Sequence, residues 1–257
     1  MRRSMTAVLA SLVLMSATAA QAQMKWVAGK HYTNVPPQRT QVPAGKIEVL
    51  EVFSYGCPAC NQFRPVMKQI AAGLPKNAQL VYLPASWNAA ENWPMFQRMY
   101  LTAQSLGVAD KTHEAMYDAI WTTGELGVVD QNTRRLKTKL PSIEDAAKFY
   151  QRTAGVKPQD FVNASKSFGV DLKIKQAEAQ IKAMEIGSTP TLVVAGKYRI
   201  NNEAFKTVDE IIEVVNFLAA KETAAAPAKP AAGAKPAAEV KPAAAVAKPA
   251  AAPAAKP

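Results

Sequence analysis

Residues 49–63 read Val49-Leu50-Glu51-Val52-Phe53-Ser54-Tyr55-Gly56-Cys57-Pro58-Ala59-Cys60-Asn61-Gln62-Phe63. An apolar strand pattern leads into a glycine, and the helical pattern that follows begins with both cysteines of the chain. Because residues three apart lie on one face of a helix, a turn apart, their two sulfurs can close a small disulfide ring. The stretch therefore predicts a redox-active pair at the start of a helix.

The two cysteines are expected to differ. Pro58 suits the first helical position, which places Cys57 at the N-cap, where unpaired amides and the helix dipole favour a thiolate. Cys60 falls one turn inside and is expected to be a shielded, ordinary thiol. A Cys57 pKa near about 4.5 instead of about 8.5 would stabilise the reduced form by roughly 3.4 kcal/mol at pH 7, or roughly 70 mV. The disulfide would then be readily passed to other proteins.

The sequence predicts that neither end of the chain belongs to the folded domain. Residues 1–22 combine a basic start, a short apolar run and Ala20-Gln21-Ala22, which is typical of a secretory signal cleaved after Ala22. Arg2 and Arg3 leave the general and twin-arginine export routes open. Residues 223–257 are almost entirely Ala, Pro and Lys, a composition that predicts a disordered tail. The prediction is an exported protein whose folded part spans residues 23–222.

Charge and cysteine count exclude several kinds of function. The formal net charge is +11, but Arg2 and Arg3 belong to the predicted signal and six lysines lie at or beyond Lys221. The folded part is therefore only mildly basic, and no basic stripe interleaved with aromatic residues suggests nucleic-acid binding. Two cysteines cannot supply a four-cysteine zinc site, nor a structural disulfide beside a separate thiol site. No cofactor is expected.

Hydrophobic periodicity predicts an α/β protein. Strands are expected at residues 32–35, 47–54, 79–84, 191–195 and 198–200, with helical periodicity throughout residues 93–186. A capping box at Ser142 predicts a helix to about Thr153, a second helix is expected at residues 172–186, and a last helix follows Thr207. The order βαβ, helices, ββα predicts a thioredoxin-like fold with an inserted all-helical domain. The expected domains are residues 23–90 with 187–222, and the insertion 91–186.

Three motifs together resemble one family. Residues 51–60, the stretch Gly187-Ser188-Thr189-Pro190-Thr191 and the turn Gly196-Lys197-Tyr198 are similar to the periplasmic thiol:disulfide oxidoreductases of the DsbA family, over roughly residues 30–220. The resemblance implies a thioredoxin fold with a helical insertion. It also implies donation of the Cys57–Cys60 disulfide to newly exported proteins, and reoxidation by a membrane partner, DsbB.

The resemblance also assigns site residues. Cys57 is expected to form the mixed disulfide that Cys60 resolves, and Glu51 to be a buried carboxylate that relays the Cys60 proton. Thr189 and Pro190, joined by a cis bond, are expected to bind an extended substrate beside Cys57, with the Thr189 hydroxyl near its sulfur. Pro58 and Ala59 complete the predicted substrate-binding set, next to a hydrophobic groove. His31 and His113 are expected at the surface or as caps, and Met95 and Met99 as core or groove lining.

One departure from the family keeps other functions open. The best-known members carry a histidine where Ala59 stands, and that histidine stabilises the thiolate, so this chain is expected to be a milder oxidant. A reductase or isomerase on the same fold is the nearest alternative, and a Cu(I) carrier that uses Cys57 and Cys60 as soft ligands is another. The expected partners are reduced secreted or outer-membrane proteins and a DsbB-like reoxidase. The basic tail is expected to be a solvated tether, and electrostatic contact of its lysines with the cell envelope is the alternative.

Overall fold

The computed structural model describes residues 25–225. Within them, five strands form one mixed sheet: β1 (Tyr32–Asn34), β2 (Ile47–Phe53), β3 (Ala78–Pro84), β4 (Thr191–Val194) and β5 (Tyr198–Ile200). The strand order is β1-β5-β4-β2-β3, with β2 parallel to β3 and antiparallel to β4. Six of the seven residues of β2 are buried, which is the pattern of a central strand covered on both faces.

Helices cover both faces of this sheet. On one face, Met67 and Ile70 of α1 (Pro58–Gly73) pack with Val214 and Leu218 of α7 (Val208–Ala225) against Val49. The opposite face of the sheet, where Leu50, Val52 and Val193 point, packs against Ala177 and Ile181 of α6 (Phe168–Ala183). This arrangement fixes β2, so the chain that leaves its end at Phe53 enters α1 at a defined position.

The segment between β3 and β4 is a helical insertion with its own core. Its helices are α2 (Trp93–Ser105), α3 (Ala109–Tyr117), a π-helical turn (Asp118–Thr122), α4 (Ile143–Ala154), α5 (Pro158–Ser165) and α6. The insertion core also takes in Phe53, Tyr55, Cys57 and Cys60, so the cysteine pair lies where the insertion meets the end of the sheet. The predicted fold class, a thioredoxin-like fold with an inserted helical domain, is confirmed.

Three local predictions are wrong. Residues 123–142 are irregular rather than helical, because Gly124 and Arg134 adopt positive φ and a hairpin interrupts the helical run. The helix predicted at residues 172–186 begins earlier, at Phe168, because Ser167 caps it by accepting the Val170 amide. The last helix continues to Ala225, so residues 223–225 are not disordered: the Thr223 hydroxyl accepts a bond from Asn77 Nδ2 at 2.8 Å.

Two predicted segments lie outside the described residues: the signal at residues 1–22 and the tail beyond Ala225. Of the helices found in residues 25–225, none has the length and apolar character that a bilayer-spanning segment requires.

Candidate active site

The two cysteines occupy the first turn of α1, both as free thiols. Cys57 is the N-cap with extended backbone, and Pro58 takes the first helical position, as predicted. The Cys60 backbone amide donates to Cys57 Sγ at 3.3 Å, so the sulfur caps its own helix. Cys57 is 5% exposed and Cys60 only 1%, which leaves Cys57 as the sulfur that a second protein can reach.

The environment separates the two thiols electrostatically. The pKa of Cys57 is lowered to about 6, first by a hydrogen bond from the Cys60 thiol and then by contacts that include the Cys60 and Ala59 amides. The pKa of Cys60 is raised, first by burial and then by the hydrogen bond and charge of Cys57. The lowered pKa of Cys57 matches the expectation from the helix N-terminus, whereas Cys60, expected to be an ordinary thiol, instead has a raised pKa. With a pKa of about 6 in place of about 4.5, thiolate formation at pH 7 stabilises the reduced form by at most about 1.4 kcal/mol. This corresponds to a rise of about 30 mV in the reduction potential.

The loop before β4 lies against Cys57. The Thr189–Pro190 peptide bond is cis, as predicted. The Cys57 thiol donates to the Thr189 carbonyl oxygen at 3.5 Å, and a hydrogen bond with the Thr189 side chain, as expected, contributes to the lowered pKa of Cys57. Asn202 Nδ2 donates to the Pro190 carbonyl at 3.4 Å, and the Thr191 hydroxyl donates to the Ser188 carbonyl at 2.8 Å. These two bonds hold the loop from both sides of the proline.

Glu51 is a buried carboxyl beneath the cysteine pair. It lies in the middle of β2, in register with Tyr82 of β3 and Leu192 of β4, and is 3% exposed. Burial raises the pKa of Glu51 to about 8, and the negative charges of Cys57 and Glu114 add to the rise. The carboxyl is therefore mostly protonated at pH 7 and can give or take a proton near neutrality.

His113 is the main feature that the sequence did not reveal. It is not a surface residue: it lies in the insertion core, stacked on Tyr82 with ring centroids 4.1 Å apart. Its Nδ1 is 3.0 Å from the Tyr55 hydroxyl, and Trp121 Nε1 donates to the Tyr55 carbonyl at 2.8 Å. Two residues of the insertion thus hold Tyr55, two positions before Cys57. Burial lowers the pKa of His113 to about 4, which keeps the ring neutral.

His31 is also buried, contrary to a plain surface position. Its Nδ1 accepts the Val27 backbone amide at 2.9 Å, so it does cap a turn, remote in sequence from the cysteines. Met99 is fully buried and Met95 packs against the insertion core, as expected for core methionines.

Gly56 brings the loop into close contact with the insertion. A Cβ at this position would lie 2.6 Å from Trp93 Nε1 and 2.7 Å from its Cδ1, closer than atoms in real contacts approach. Trp93 is buried, and its ring lies 6.4 Å from that of Trp87, which is 46% exposed. Gly56 therefore packs its backbone directly against the Trp93 indole, which leaves no room for a side chain.

A groove of about 740 Å³ runs beside the cysteine pair. Its walls come from the face of α1 that carries Ala59 and Phe63, from the loop 186–191 and from residues 199–203. This groove does not match the predicted hydrophobic one, since its polar lining includes Gln62, Ser188, Asn201, Asn202 and Glu203.

Comparison with known proteins identifies the family. A family model described as "Thioredoxin" matches residues 42–214. The chain is 34% identical over 221 residues to the thiol:disulfide interchange protein DsbA of Pseudomonas syringae pv. tomato, covering 86% of this chain and 94% of that protein. The chain belongs to the DsbA family. It is also 32% identical to the DsbA of Pseudomonas aeruginosa strain PAO1, over 86% of this chain and 97% of that protein.

Solved DsbA structures agree with this assignment. The oxidoreductase DsbA of Xylella fastidiosa superimposes with a TM-score of 0.65 at 30% identity, over 77% of this chain and 98% of that one. The DsbA of Pseudomonas aeruginosa gives a TM-score of 0.63 at 32% identity, over 78% of this chain and 96% of that one. The DsbA-family member described here is thus a thiol:disulfide oxidoreductase of the thioredoxin superfamily.

Proposed function

We propose that this oxidoreductase works as an exported dithiol oxidase, which donates the Cys57–Cys60 disulfide to reduced proteins. The observation that carries the direction is the opposite displacement of the two thiol pKa values: Cys57 lowered to about 6, Cys60 raised. A stabilised thiolate on Cys57 favours the reduced form, so the disulfide is less stable at neutral pH than that of a cysteine pair with ordinary pKa values. A disulfide of this kind passes its oxidising equivalents to a client.

The reaction balances as two exchanges. A client thiolate attacks Cys57 Sγ of the oxidised enzyme, forms a mixed disulfide and expels Cys60 as a thiolate. A second client thiolate then attacks the client sulfur of that mixed disulfide and expels Cys57. The client loses two electrons and two protons, and the enzyme gains the two electrons in its cysteine pair. In the reverse direction Cys60 resolves the mixed disulfide.

Glu51 is the proposed proton carrier for Cys60. A thiolate on the nearly inaccessible Cys60 is costly, as its raised pKa indicates, so the departing sulfur needs a proton at once. Glu51, with a pKa of about 8, holds a proton at pH 7 and interacts electrostatically with Cys60. The proposed role is to give this proton when Cys60 leaves and to recover it when the pair is reoxidised.

Substrate binding is assigned to the surface around Cys57. Ala59, Thr189 and Pro190 line the polar groove, and Pro58 follows Cys57 directly at the start of α1. An extended client segment could pair with the backbone of the Thr189–Pro190 loop as an added strand. The proposed clients are reduced secreted or outer-membrane proteins in the periplasm, with a DsbB-like membrane protein as the reoxidase.

Substitution of Cys60 tests the central step. In Cys60→Ala, the Cys57 thiolate can attack a client disulfide and expel one client thiolate. The resulting mixed disulfides are expected to accumulate and to be isolable on non-reducing gels, because the buried attacker that would release the client is gone. Cys57→Ala is the matched control and should trap little, since the remaining sulfur is 1% exposed. Equal trapping by the two variants would contradict the assignment of Cys57 as the attacked sulfur.

Ala59 supports one second candidate, a reductase or isomerase. No histidine stands between Pro58 and Cys60, and the Cys57 pKa of about 6 contributes at most about 30 mV to the potential. Equilibration with glutathione separates the two functions. An oxidase is expected above about −180 mV, the value of protein disulfide isomerase, and a potential near about −270 mV, that of thioredoxin, would favour the reductase. Stoichiometric Cu(I) binding without turnover of reduced peptides would favour a carrier.

A further inference from the structure

The irregular part of the insertion carries a basic hairpin, residues 128–139. The Lys137 amide donates to the Val128 carbonyl and the Asp130 amide to the Arg135 carbonyl, both at 2.8 Å, and Val129 bridges Leu136. Asp130 Oδ1 accepts the Asn132 and Thr133 amides and so closes the turn. Val128 is buried and anchors the base of the hairpin, whereas most of its other residues are exposed.

The hairpin concentrates positive charge that the described protein does not neutralise. Arg134, Arg135, Lys137 and Lys139 lie within six residues, and in residues 25–225 none of them forms an ion pair. The nearby acids are engaged elsewhere, since Glu125 pairs with Arg152 and Asp118 with Arg64. Asp130 is the one acid of the hairpin itself, so the segment presents a net positive field to solvent.

Two exposed aliphatic side chains accompany these cations. Val129 and Leu136 face each other across the hairpin, so their side chains share one face, and they are 38% and 49% exposed. Peripheral membrane anchors have this composition. Their exposed apolar side chains enter the headgroup region, and the surrounding cations bind lipid phosphates. A nucleic acid or an acidic protein would also complement the positive charges, but it would offer less apolar surface than a membrane for Val129 and Leu136 to contact.

The hairpin is also tied to the active-site loop. Gln131 Nε2 donates to the Thr122 carbonyl at 3.2 Å, and the adjacent Trp121 donates to the Tyr55 carbonyl. Lys137 Nζ donates to the Gly124 carbonyl at 2.8 Å. We propose that the basic hairpin docks the enzyme on anionic phospholipid headgroups, through its four cations and the Val129–Leu136 pair. This inference concerns a second site and does not rest on the direction of the redox reaction.

Vesicle partitioning of the whole exported chain tests the docking site. The variant Arg134→Gln/Arg135→Gln is expected to lower partitioning onto mixed phosphatidylglycerol and phosphatidylcholine vesicles by about 25-fold, roughly 5-fold per charge. The matched control Lys157→Gln/Lys166→Gln removes two exposed charges from elsewhere in the insertion and should lower it by less than about 2-fold. Leu136→Ser should lower it by roughly 5-fold without changing its salt dependence, because only apolar contact is lost.

Several outcomes would overturn the proposal. Equal losses of vesicle partitioning in both double variants would show that only the net charge of the protein matters. Equal binding to vesicles of pure phosphatidylcholine would show that the hairpin does not recognise an anionic headgroup. Binding to polyglutamate with no binding to vesicles would assign the hairpin to an acidic polypeptide instead. The tail lysines are common to every variant, so they cancel in the comparison. Turnover of a soluble reduced peptide should be unchanged in all variants, which shows that each one is folded.

Discussion

The buried position of Glu51 means that its protonation affects both the stability of the fold and the rate of thiol–disulfide exchange. Its pKa is raised to about 8 by burial, whereas an unfolded glutamate titrates near about 4.3. Between these values the unfolded chain binds fewer protons at this residue, so the contribution of Glu51 to the free energy of unfolding falls as pH rises. The maximum slope is roughly 1.4 kcal/mol per pH unit. Above about pH 8 the loss is complete.

Glu51→Gln separates the two effects. The variant is expected to remain folded and to lose this pH-dependent destabilisation, because glutamine stays neutral, as urea unfolding between pH 5 and pH 8 would measure. Exchange with a reduced peptide at pH 7 should slow by about 10-fold or more, since the proton source for Cys60 is gone. Glu48→Gln, a second buried glutamate of β2, is the matched control and should leave the exchange rate unchanged. An unaltered rate in Glu51→Gln would remove the residue from the mechanism.

His113 is expected to position the active-site loop through Tyr55. His113→Gln should raise the pKa of Cys57, read from thiolate absorbance, because the Tyr55 hydroxyl loses its 3.0 Å partner and the loop before the N-cap loosens. The variant should also lose about 1–3 kcal/mol of stability. His31→Gln removes the other buried histidine and should affect stability alone. A Cys57 pKa that does not move in His113→Gln would leave His113 as a core residue only.

At the residue scale, the sequence predicts what depends on neighbours along the chain. Cys57 at the N-cap follows from local pattern, and the buried Glu51 and the cis bond before Pro190 follow from the family resemblance. The partnership of Tyr55 with His113 does not, because the two residues are 58 positions apart and meet only through tertiary packing. A lone histidine on a helical pattern gives no signal of this contact.

The turn between β2 and α1 depends on one missing side chain. Gly56→Ala would place a Cβ 2.6 Å from Trp93 Nε1, and relief requires the loop or the indole to shift. We expect a loss of about 1–3 kcal/mol of stability and a raised Cys57 pKa. Gly169→Ala, in the first turn of α6 with no close neighbour, should instead be neutral or stabilising by up to about 1 kcal/mol. Partial recovery in Gly56→Ala/Trp93→Leu would confirm the clash, and equal effects of the two glycine substitutions would contradict it.

At the element scale, hydrophobic periodicity predicts the type and order of the strands and most helices. It fails at residues 123–142, where Leu126 and Val128 are buried by an irregular chain in which Gly124 and Arg134 adopt positive φ. It also misplaces the start of α6, where the cap at Ser167 decides the boundary and the exposed Phe168 gives no amphipathic signal.

For the whole molecule, the end of α7 determines where the tail can be removed. Truncation after Ala225 is expected to reduce association with the envelope and leave peptide oxidation and stability unchanged. Truncation after Lys221 should also destabilise the protein by about 1–3 kcal/mol, because it removes Glu222, which binds Lys197 and Tyr198, and Thr223, which binds Asn77. Fractionation and thermal unfolding of both forms measure this. Equal stability of the two forms would contradict a structural role for residues 222–225, and unchanged fractionation would contradict envelope contact.

The burial of Cys60 determines how long each client stays attached to Cys57 as a mixed disulfide. Once a client is attached to Cys57, the only internal way to let it go is attack by a sulfur that seldom exists as a thiolate. A client whose second thiol is close has ample time to finish its own bond and leave oxidised. A client with a single thiol lingers until Cys60 ejects it unchanged, so the enzyme sorts its clients by how quickly their cysteines find each other.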